Sequence, residues 1–600
     1  MTAMKIPAIL SAAQAALLLL PWGCSAPGRL PEGEVPPRLA LPAGSLVLVE
    51  ARSAPGASLG GPALAVLAET ALTQSPRLDF LVLQEGDPPP RLTPAAKVLL
   101  SWEPLPGSPF RWRIQARAER LSDEKKVRLQ AAPRGKDLLS AEAALDSMAR
   151  ILRRTLGETP ASILSHQVPL SRAFTAEPAA LEDYLAARRL VRKGRIPQAG
   201  LKIQAALSRD PRFGKALLLL ASLLLDGGAP DRALQVLERA AWASLQMTAS
   251  DRHVLARLRL RGENKFQELL EEAGNFLREY PYSPEGLFTK GLALNHLGRF
   301  RAALPIWRGL HRRRPGSLTP LFQLGAAQFG LGRYDQAARL WDRLAEFGAP
   351  PLQAAFFAAL PRIASGRAEE ALRKVEEIQR RAPRRAALQA RFHLMLCALS
   401  LLAGQVPRAD REARAVLEAS KADPAATRSE WTLAGRYLLY RGRVAPLREF
   451  LKILPLARPA GRLEDLRLAG LWLQGLAAAK DPGNTLADRA ASTLSQEGRP
   501  VRASTLLAEI AKARANPPAR IFNLRKALAG YPSPWNEFLL AQALLEEGKT
   551  KEGRALLERI LSRGLSLDLN NIHLHPAANP LSAAALVEAR RILAERKGRR

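Results

Sequence analysis

The sequence predicts an α + α/β chain: a small N-terminal α/β sandwich followed by a right-handed α-solenoid. Three observations predict it. Residues 45–158 hold short period-two apolar runs and two helical stretches in the order β-α-β-β-β-β-α. From about Ala180 the chain becomes helix after helix, rich in Ala and Leu. Glycines punctuate those helices at Gly194, Gly228, Gly262, Gly298, Gly332, Gly366, Gly404 and Gly442, spaced by 34, 34, 36, 34, 34, 38 and 38 residues. At roughly 150 residues per domain, 600 residues need more than one core.

Composition bounds the class. A hydrophobic fraction of 47% and a charged fraction of 24% belong to an ordinary globular chain, which excludes general disorder, a collagen-like fibre and a polytopic membrane protein. Two cysteines exclude a disulfide framework or a Cys-rich metal module, seven histidines leave little room for metal chemistry, and no cofactor is expected. The 89 basic against 56 acidic residues give +33, a balance that favours anionic partners.

Taken in order, residues 1–24 (MTAMKIPAILSAAQAALLLLPWGC) have one lysine, an apolar stretch from Ile6 to Leu20 and then small residues, the three-part form of a secretory signal. Residues 25–44 are proline-rich and read as a tether. In 45–158 the strands are Ser45–Glu50, Asp79–Gln84, Lys97–Trp102, Phe110–Ala116 and Lys126–Ala131; the helices are Gly61–Gln74 and Leu138–Leu156, the latter with Ser140 as N-cap. A linker spans 159–179. Helical repeats fill 180–460, degenerate ones 461–530, and one more returns at 531–562. Residues 563–600 form a loop and a basic C-terminal helix. Cys397, in the apolar run FHLMLCALSLL, is a core residue rather than a nucleophile.

Three copies run back to back at 284–317, 318–351 and 352–385. The first carries Leu287, Gly291, Leu294, Gly298, Phe300, Ala303, Trp307 and Pro315. The second carries Leu321, Gly325, Gln328, Gly332, Tyr334, Ala337 and Trp341, and the third Ala359, Gly366, Ala371, Val375 and Pro383. This 34-residue beat of helix, Gly-Arg turn and helix resembles the tetratricopeptide repeat. Gly23-Cys24-Ser25 resembles a bacterial lipobox, although Leu20 lies one place further from the cysteine than in that pattern. The resemblance implies lipidation of Cys24 and the outer membrane, periplasmic side, as the address; ordinary cleavage nearby is the alternative. The run from Val168 to Gly228, with SLVLVEARS and the LLSWEPLPGSPFRWRIQARAERL hairpin upstream, looks like a TolB-like domain joined to its repeats. That resemblance implies a non-enzymatic envelope or signalling module.

Catalytic signals are sparse. Gly56-Ala57-Ser58-Leu59-Gly60 matches a nucleophile elbow, but only His166 is near in sequence. His573 and His575 lack a third ligand, and no Walker A, Rossmann, H-E-x-x-H or EF-hand motif occurs. Arg312–Arg314 and Arg380–Arg381 precede repeat-closing prolines, where cations complement the helix dipole, so nucleic acid is disfavoured as a partner. In tetratricopeptide arrays the first helix of each pair lines a concave groove. Phe288, Phe322 and Phe356 recur there at 34-residue spacing, Tyr184 holds the same place in the first repeat, and Asn295 and Phe329 fall at the twelfth position. These six are the candidate partner-binding residues; the competing reading packs the rings between repeats. The expectation is a non-enzymatic, exported, Cys24-anchored scaffold that holds an envelope protein or peptide. Its rivals are a sensory module with a small ligand in the α/β domain and a hydrolase using Ser58.

Overall fold

The computed structural model describes residues 39–53, 61–83, 87–105, 108–131, 138–192, 195–226, 230–243, 247–346, 349–453, 462–530, 533–563 and 580–597. Its first unit is β1 (Leu46–Ser53), α1 (Gly61–Leu72), β2 (Asp79–Leu83), β3 (Ala96–Leu105), β4 (Ser108–Arg120), β5 (Lys126–Ala131) and α2 (Leu138–Thr155). The five strands form one mixed sheet ordered β2-β1-β3-β4-β5, with β1 parallel to both neighbours and the β3-β4-β5 meander antiparallel. Alternation decides which side is buried. Val47, Val49, Val98, Leu100, Ile114 and Ala116 face one core with Leu64 and Leu67 of α1 and Leu145 and Met148 of α2.

One cap and two segment assignments differ from expectation. Helix α2 begins two residues before Ser140, so that serine lies in the first turn rather than at the cap. Residues 39–44 are not tether. Leu39 and Leu41 are buried, and their N–H groups donate to Thr155 O (2.9 Å) and Leu156 O (3.1 Å), closing the end of α2. The 159–179 linker holds two short helices, α3 (Pro160–His166) and α4 (Leu170–Ala173). It is pinned by Val168 N–H to Gln74 Oε1 (2.6 Å) and by the buried Arg153–Glu158 pair.

Paired helices follow. The first three pairs are α5 (Pro178–Arg192) with α6 (Ile196–Arg209), α7 (Gly214–Asp226) with α8 (Pro230–Trp242), and α9 (Ala249–Gly262) with α10 (Phe266–Glu279). Next come α11 (Pro284–His296) with α12 (Phe300–Arg313), α13 (Leu318–Gly330) with α14 (Tyr334–Asp342), and α15 (Pro351–Ala364) with α16 (Ala368–Arg381). Then α17 (Ala386–Leu402) pairs with α18 (Val406–Ser420), α19 (Arg428–Tyr440) with α20 (Val444–Lys452), and α21 (Arg462–Ala478) with α22 (Thr485–Gln496). The last are α23 (Pro500–Ala513) with α24 (Pro517–Gly530), α25 (Pro534–Glu546) with α26 (Thr550–Arg563), and the single α27 (Pro580–Lys597). Helices therefore pair regularly through 461–530, where the sequence signal is weak.

The turn residue sets the beat. Gly332 sits at φ 72°, a left-handed conformation that lets the chain stop one helix and start the next. In the α9–α10 turn Gly262 does not play that part. Asn264 takes the left-handed position at φ 57°, and it lies 34 residues before Gly298, so the 36-residue interval falls one turn earlier, between positions 228 and 264. Asparagine tolerates this conformation better than other non-glycine residues do. Gly194 and Gly228 lie outside the described residues.

Between paired helices, small residues seat large ones. Trp307 and Trp341 are fully buried, and a Cβ on Gly291 or Gly325 would come within 2.8 Å of the Trp307 ring or 2.6 Å of Trp341 Cδ1. The array then folds back on itself. Helix α27 packs against α17, α19, α25 and α26 through Ala583, Ala584, Ala585 and Ala589, while Tyr440 meets Trp535 edge-on at 4.9 Å. Helix α17 is correspondingly buried along its second half, Leu394 to Leu401, while Arg391 and His393 in its first half pair with Glu430 and Glu412.

The two units are joined at a sheet edge. Among the described residues strand β2 has one strand neighbour, β1. Arg313, at the end of α12, pairs with Asp79 and donates to Phe80 O (3.3 Å); Arg314 donates to Val82 O (3.2 Å) and to Glu69 (2.6 Å). Arg91 N–H donates to Arg312 O (2.7 Å). These guanidiniums occupy the carbonyl edge that β2 would otherwise present to another strand. A dipole role alone does not describe Arg313 and Arg314; they connect the domains.

Candidate functional site

The candidate groove is built from the first helices of successive pairs, α11, α13 and α15. Their Gly291 and Gly325 admit the tryptophans of α12 and α14, and what the next helix lays over each candidate ring decides where it goes. Phe322 is fully buried, 4.6 Å from Phe357 and 5.8 Å from Trp341 between ring centroids. Phe356 is buried against Phe357 at 5.4 Å, and Tyr184 against Phe213 at 5.0 Å. These three rings present no open ladder, because the tight helix spacing consumes them in the cores between helices. Phe329 is half-buried and turns toward Tyr334 and Trp341 of its own pair.

Phe288 and Asn295 remain at a partly open surface. The Phe288 ring stands edge-on to Trp307 at 5.4 Å, with the Arg257 guanidinium 5.0 Å over its face. Arg257 also pairs with Glu285 at 2.9 Å. Asn295 Nδ2 donates to Gln323 Oε1 (2.8 Å) and O (3.2 Å), tying α11 to α13, while its buried Oδ1 accepts nothing among the described residues. The arrangement at the surface is a ring flanked by a cation and an anion. It can contact an apolar side chain and, at Glu285, a backbone N–H.

Other sequence candidates fall as follows. Cys24, Ser58, His573 and His575 lie outside the described residues. His166 Nδ1 meets Ser162 O at 2.7 Å and Nε2 meets Glu279 at 3.5 Å. Cys397 is fully buried, and desolvation raises its thiol pKa well above the ordinary value. Among the described residues no group of three or more His, Cys, Asp or Glu could hold a metal ion, and no helix is long and apolar enough to cross a membrane.

Two features escaped sequence reasoning. One is the Arg313–Arg314 junction, whose partners lie more than 230 residues away. The other is Glu142 of α2, fully buried, with neither carboxylate oxygen hydrogen-bonded among the described residues. Burial, and secondarily the charge of Asp146, push its pKa up to about 8; Asp146 rises to about 6 through burial, opposed by hydrogen bonds from Leu170 N–H and Gln167. A lone Glu in an otherwise amphipathic helix gives no sequence sign of this.

The observation that decides the class is the recurrence itself: antiparallel helix pairs, a left-handed turn residue at 264, 298, 332 and 366, and a glycine-seated tryptophan 34 residues apart. The chain carries a tetratricopeptide-like repeat solenoid. No family model matches it, and no curated protein does. A tetratricopeptide repeat protein from Parabacteroides merdae is similar at 16% identity over 43% of this chain and 99% of its own, with a TM-score of 0.27. MamA (MSR-1 C2) shares 19% identity over 34% of this chain and 98% of its own, with a TM-score of 0.18. The human IFIT1 dimer with PPP-AAAA shares 14% over 64% and 90%, with a TM-score of 0.26. The repeat assignment rests on the helix pairs of this chain.

Proposed function

We propose that this protein is a non-catalytic interaction scaffold, exported and held at the periplasmic side of the outer membrane by lipidated Cys24, whose tetratricopeptide-like groove holds a segment of another cell-envelope protein. The observation that carries the scaffold reading is the extended run of helix pairs with the partly open Phe288–Arg257–Glu285–Asn295 surface on its first helices. Export and anchoring rest on the signal-like stretch that ends at Cys24.

The test is affinity capture with mass spectrometry from membranes, using the chain with its own leader, the Phe288→Ala variant and a Cys24→Ser variant. A stoichiometric envelope partner should be held by the parent and lost from Phe288→Ala at unchanged melting temperature. A several-degree loss of melting temperature with unchanged capture would show the ring to be core and end the groove reading. Cys24→Ser should move the protein from the membrane to the soluble fraction; retention in the membrane would end the anchor.

A second reading, a sensory α/β domain that relays to the repeats, is favoured by the Arg313–Arg314 junction, which links the sheet edge rigidly to the fourth helix pair. A small ligand that moves β2 would act directly on the end of α12.

A further inference from the structure

We propose that the outer face of α12, α14 and α16 docks on a bilayer surface rich in anionic phospholipid, through six arginines that the fold leaves uncompensated. Helix α12 packs on α11 and α13, α14 on α13 and α15, and α16 on α15 and α17, so the side of each turned away from these neighbours looks outward. There Arg301, Arg308 and Arg312 of α12, Arg339 of α14, and Arg373 and Arg380 of α16 are exposed. None of the six side chains makes a hydrogen bond or ion pair among the described residues. Steps of seven and four residues put the α12 arginines in one stripe, since eleven residues make about three helical turns. Arg339 and Arg373 hold equivalent places 34 residues apart, and 34 residues before Arg339 stands Pro305, inside that same stripe.

Carboxylates do not answer this charge. Helix α12 carries none. On α14 and α16, Asp342 and Glu370 pair with Arg362 at 2.7 and 2.9 Å, Glu369 and Glu376 with Arg408, Asp335 with Arg367, and Glu377 with Arg381. Each acid of the face is thus held by a cation outside the six. The helix dipole accounts for Arg312, Arg339 and Arg380 in last turns. It gives no reason for Arg308 and Arg373 in helix interiors, and it opposes Arg301 at the positive end of α12. Six like charges on one face repel one another, a cost that an anionic partner removes.

The layout selects the partner. The arginines spread in two directions, along α12 and α16 and across three successive second helices, so they meet a plane of phosphates rather than one strand of them. Guanidinium forks suit phosphate oxygens. Two basins open on this face, about 530 Å³ beside Arg339 and about 480 Å³ beside Arg373 and Arg380, each large enough for a lipid head group. The exposed residues between the α12 arginines are Ala302, Pro305 and Gly309, small enough to let a flat surface approach. No described exposed side chain of these three helices is aromatic, so the face lacks the stacking platform that single-stranded nucleic acid requires. The candidate groove lies on the first helices, and docking through the second helices leaves it open. The proposal does not depend on Cys24.

Vesicle flotation tests this with the full chain carrying Cys24→Ser, so that no lipid anchor contributes. The probes are vesicles of phosphatidylcholine alone and with about 30% phosphatidylglycerol, at near-physiological salt. Only the anionic vesicles should carry the protein. Arg339→Gln with Arg373→Gln should weaken that binding about twentyfold, at roughly fivefold for each surface cation. Arg232→Gln with Arg239→Gln removes the same charge from exposed positions on α8 and should leave binding nearly unchanged. Gly309→Glu, where nothing lies within 4 Å of the added carbon, sets a carboxylate in the α12 stripe and should weaken binding severalfold at unchanged helicity. It decides the matter if the Arg339 and Arg373 pair loses helicity. Failure to float with anionic vesicles, equal flotation with neutral ones, equal losses from the two double variants, or indifference to Gly309→Glu would each overturn the assignment. So would release of the bound protein by duplex DNA at a lower phosphate concentration than the vesicles present, or by polyglutamate at matched charge.

Discussion

Glu142 makes the stability of the α/β domain depend on pH in an unusual direction. Its carboxyl titrates near 8 in the folded chain against an ordinary 4.5, so between those values the folded state holds a proton that the unfolded state has released. Stability then falls as pH rises: the contribution is fully present below about 4.5 and is lost on the way to 8. At about 1.4 kcal/mol per unit, the stretch from pH 5.5 to 8 costs on the order of 3 kcal/mol. Asp146, raised to about 6, contributes in the same direction only at the acidic end of that range. Replacing Glu142 with Met keeps the length of the side chain and removes the titration. The assay is hydrogen–deuterium exchange of the β3 and β4 amides at several pH values, corrected for intrinsic exchange, which reads the opening free energy of this domain alone. In the parent chain that free energy should drop by roughly 3 kcal/mol over the range; in Glu142→Met only the small Asp146 slope at the acidic end should remain, and at pH 8 the value should be higher than in the parent. A flat profile in the parent, or an equal slope in both proteins, would refute the reasoning.

Two further outcomes follow from packing. Gly325→Ala places a methyl group against the buried Trp341, whose N–H donates to Phe322 O at 3.0 Å, so overpacking and a disturbed bond should cost about 2–4 kcal/mol, read from the helical unfolding transition by circular dichroism; Gly309→Ala, where nothing lies within 4 Å of the added carbon, should be neutral or slightly stabilising. Arg313→Met strands Asp79 at the sheet edge and should lower stability by about 3–5 kcal/mol while raising exchange at β2; Asp79→Asn combined with it should recover part of the loss, and no recovery would mean that the pair is not coupled.

Much of the fold is readable from local chemistry. The strand and helix order of residues 46–155 follows from period, since a half-covered sheet alternates and its helices do not. The repeats follow from glycine because a left-handed turn residue recurs wherever a helix pair must reverse. Asn264 shows the limit of that signal: the physical requirement is a left-handed dihedral, and a second residue type meets it without leaving a glycine to count. Residues 461–530 show another limit. There helix pairing persists on apolar burial, with Ala487, Ala490, Leu494, Ala503 and Leu506 forming a core in which no residue recurs at a fixed interval.

Site residues were harder to read than fold because a first-helix aromatic has two physically sound destinations. Position within a repeat fixes which side of the helix it occupies, but helix spacing decides whether that side is open. A glycine seats a tryptophan in both repeats, at Gly291 and at Gly325, but Phe322 is closed over by Phe357 of the next first helix and becomes core, while at Phe288 the neighbouring Arg257 and Glu285 keep the edge wet. The arginines repeat the lesson at longer range. Arg313 and Arg381 occupy equivalent helix ends, yet among the described residues Arg381 pairs with Glu377 one turn away while Arg313 enters the edge of a sheet contributed by a different domain. A helix-end cation is therefore a local feature with a long-range option. Which of the two it takes depends on a partner that the 34-residue period does not encode, and in this chain that partner is the unpaired edge of β2.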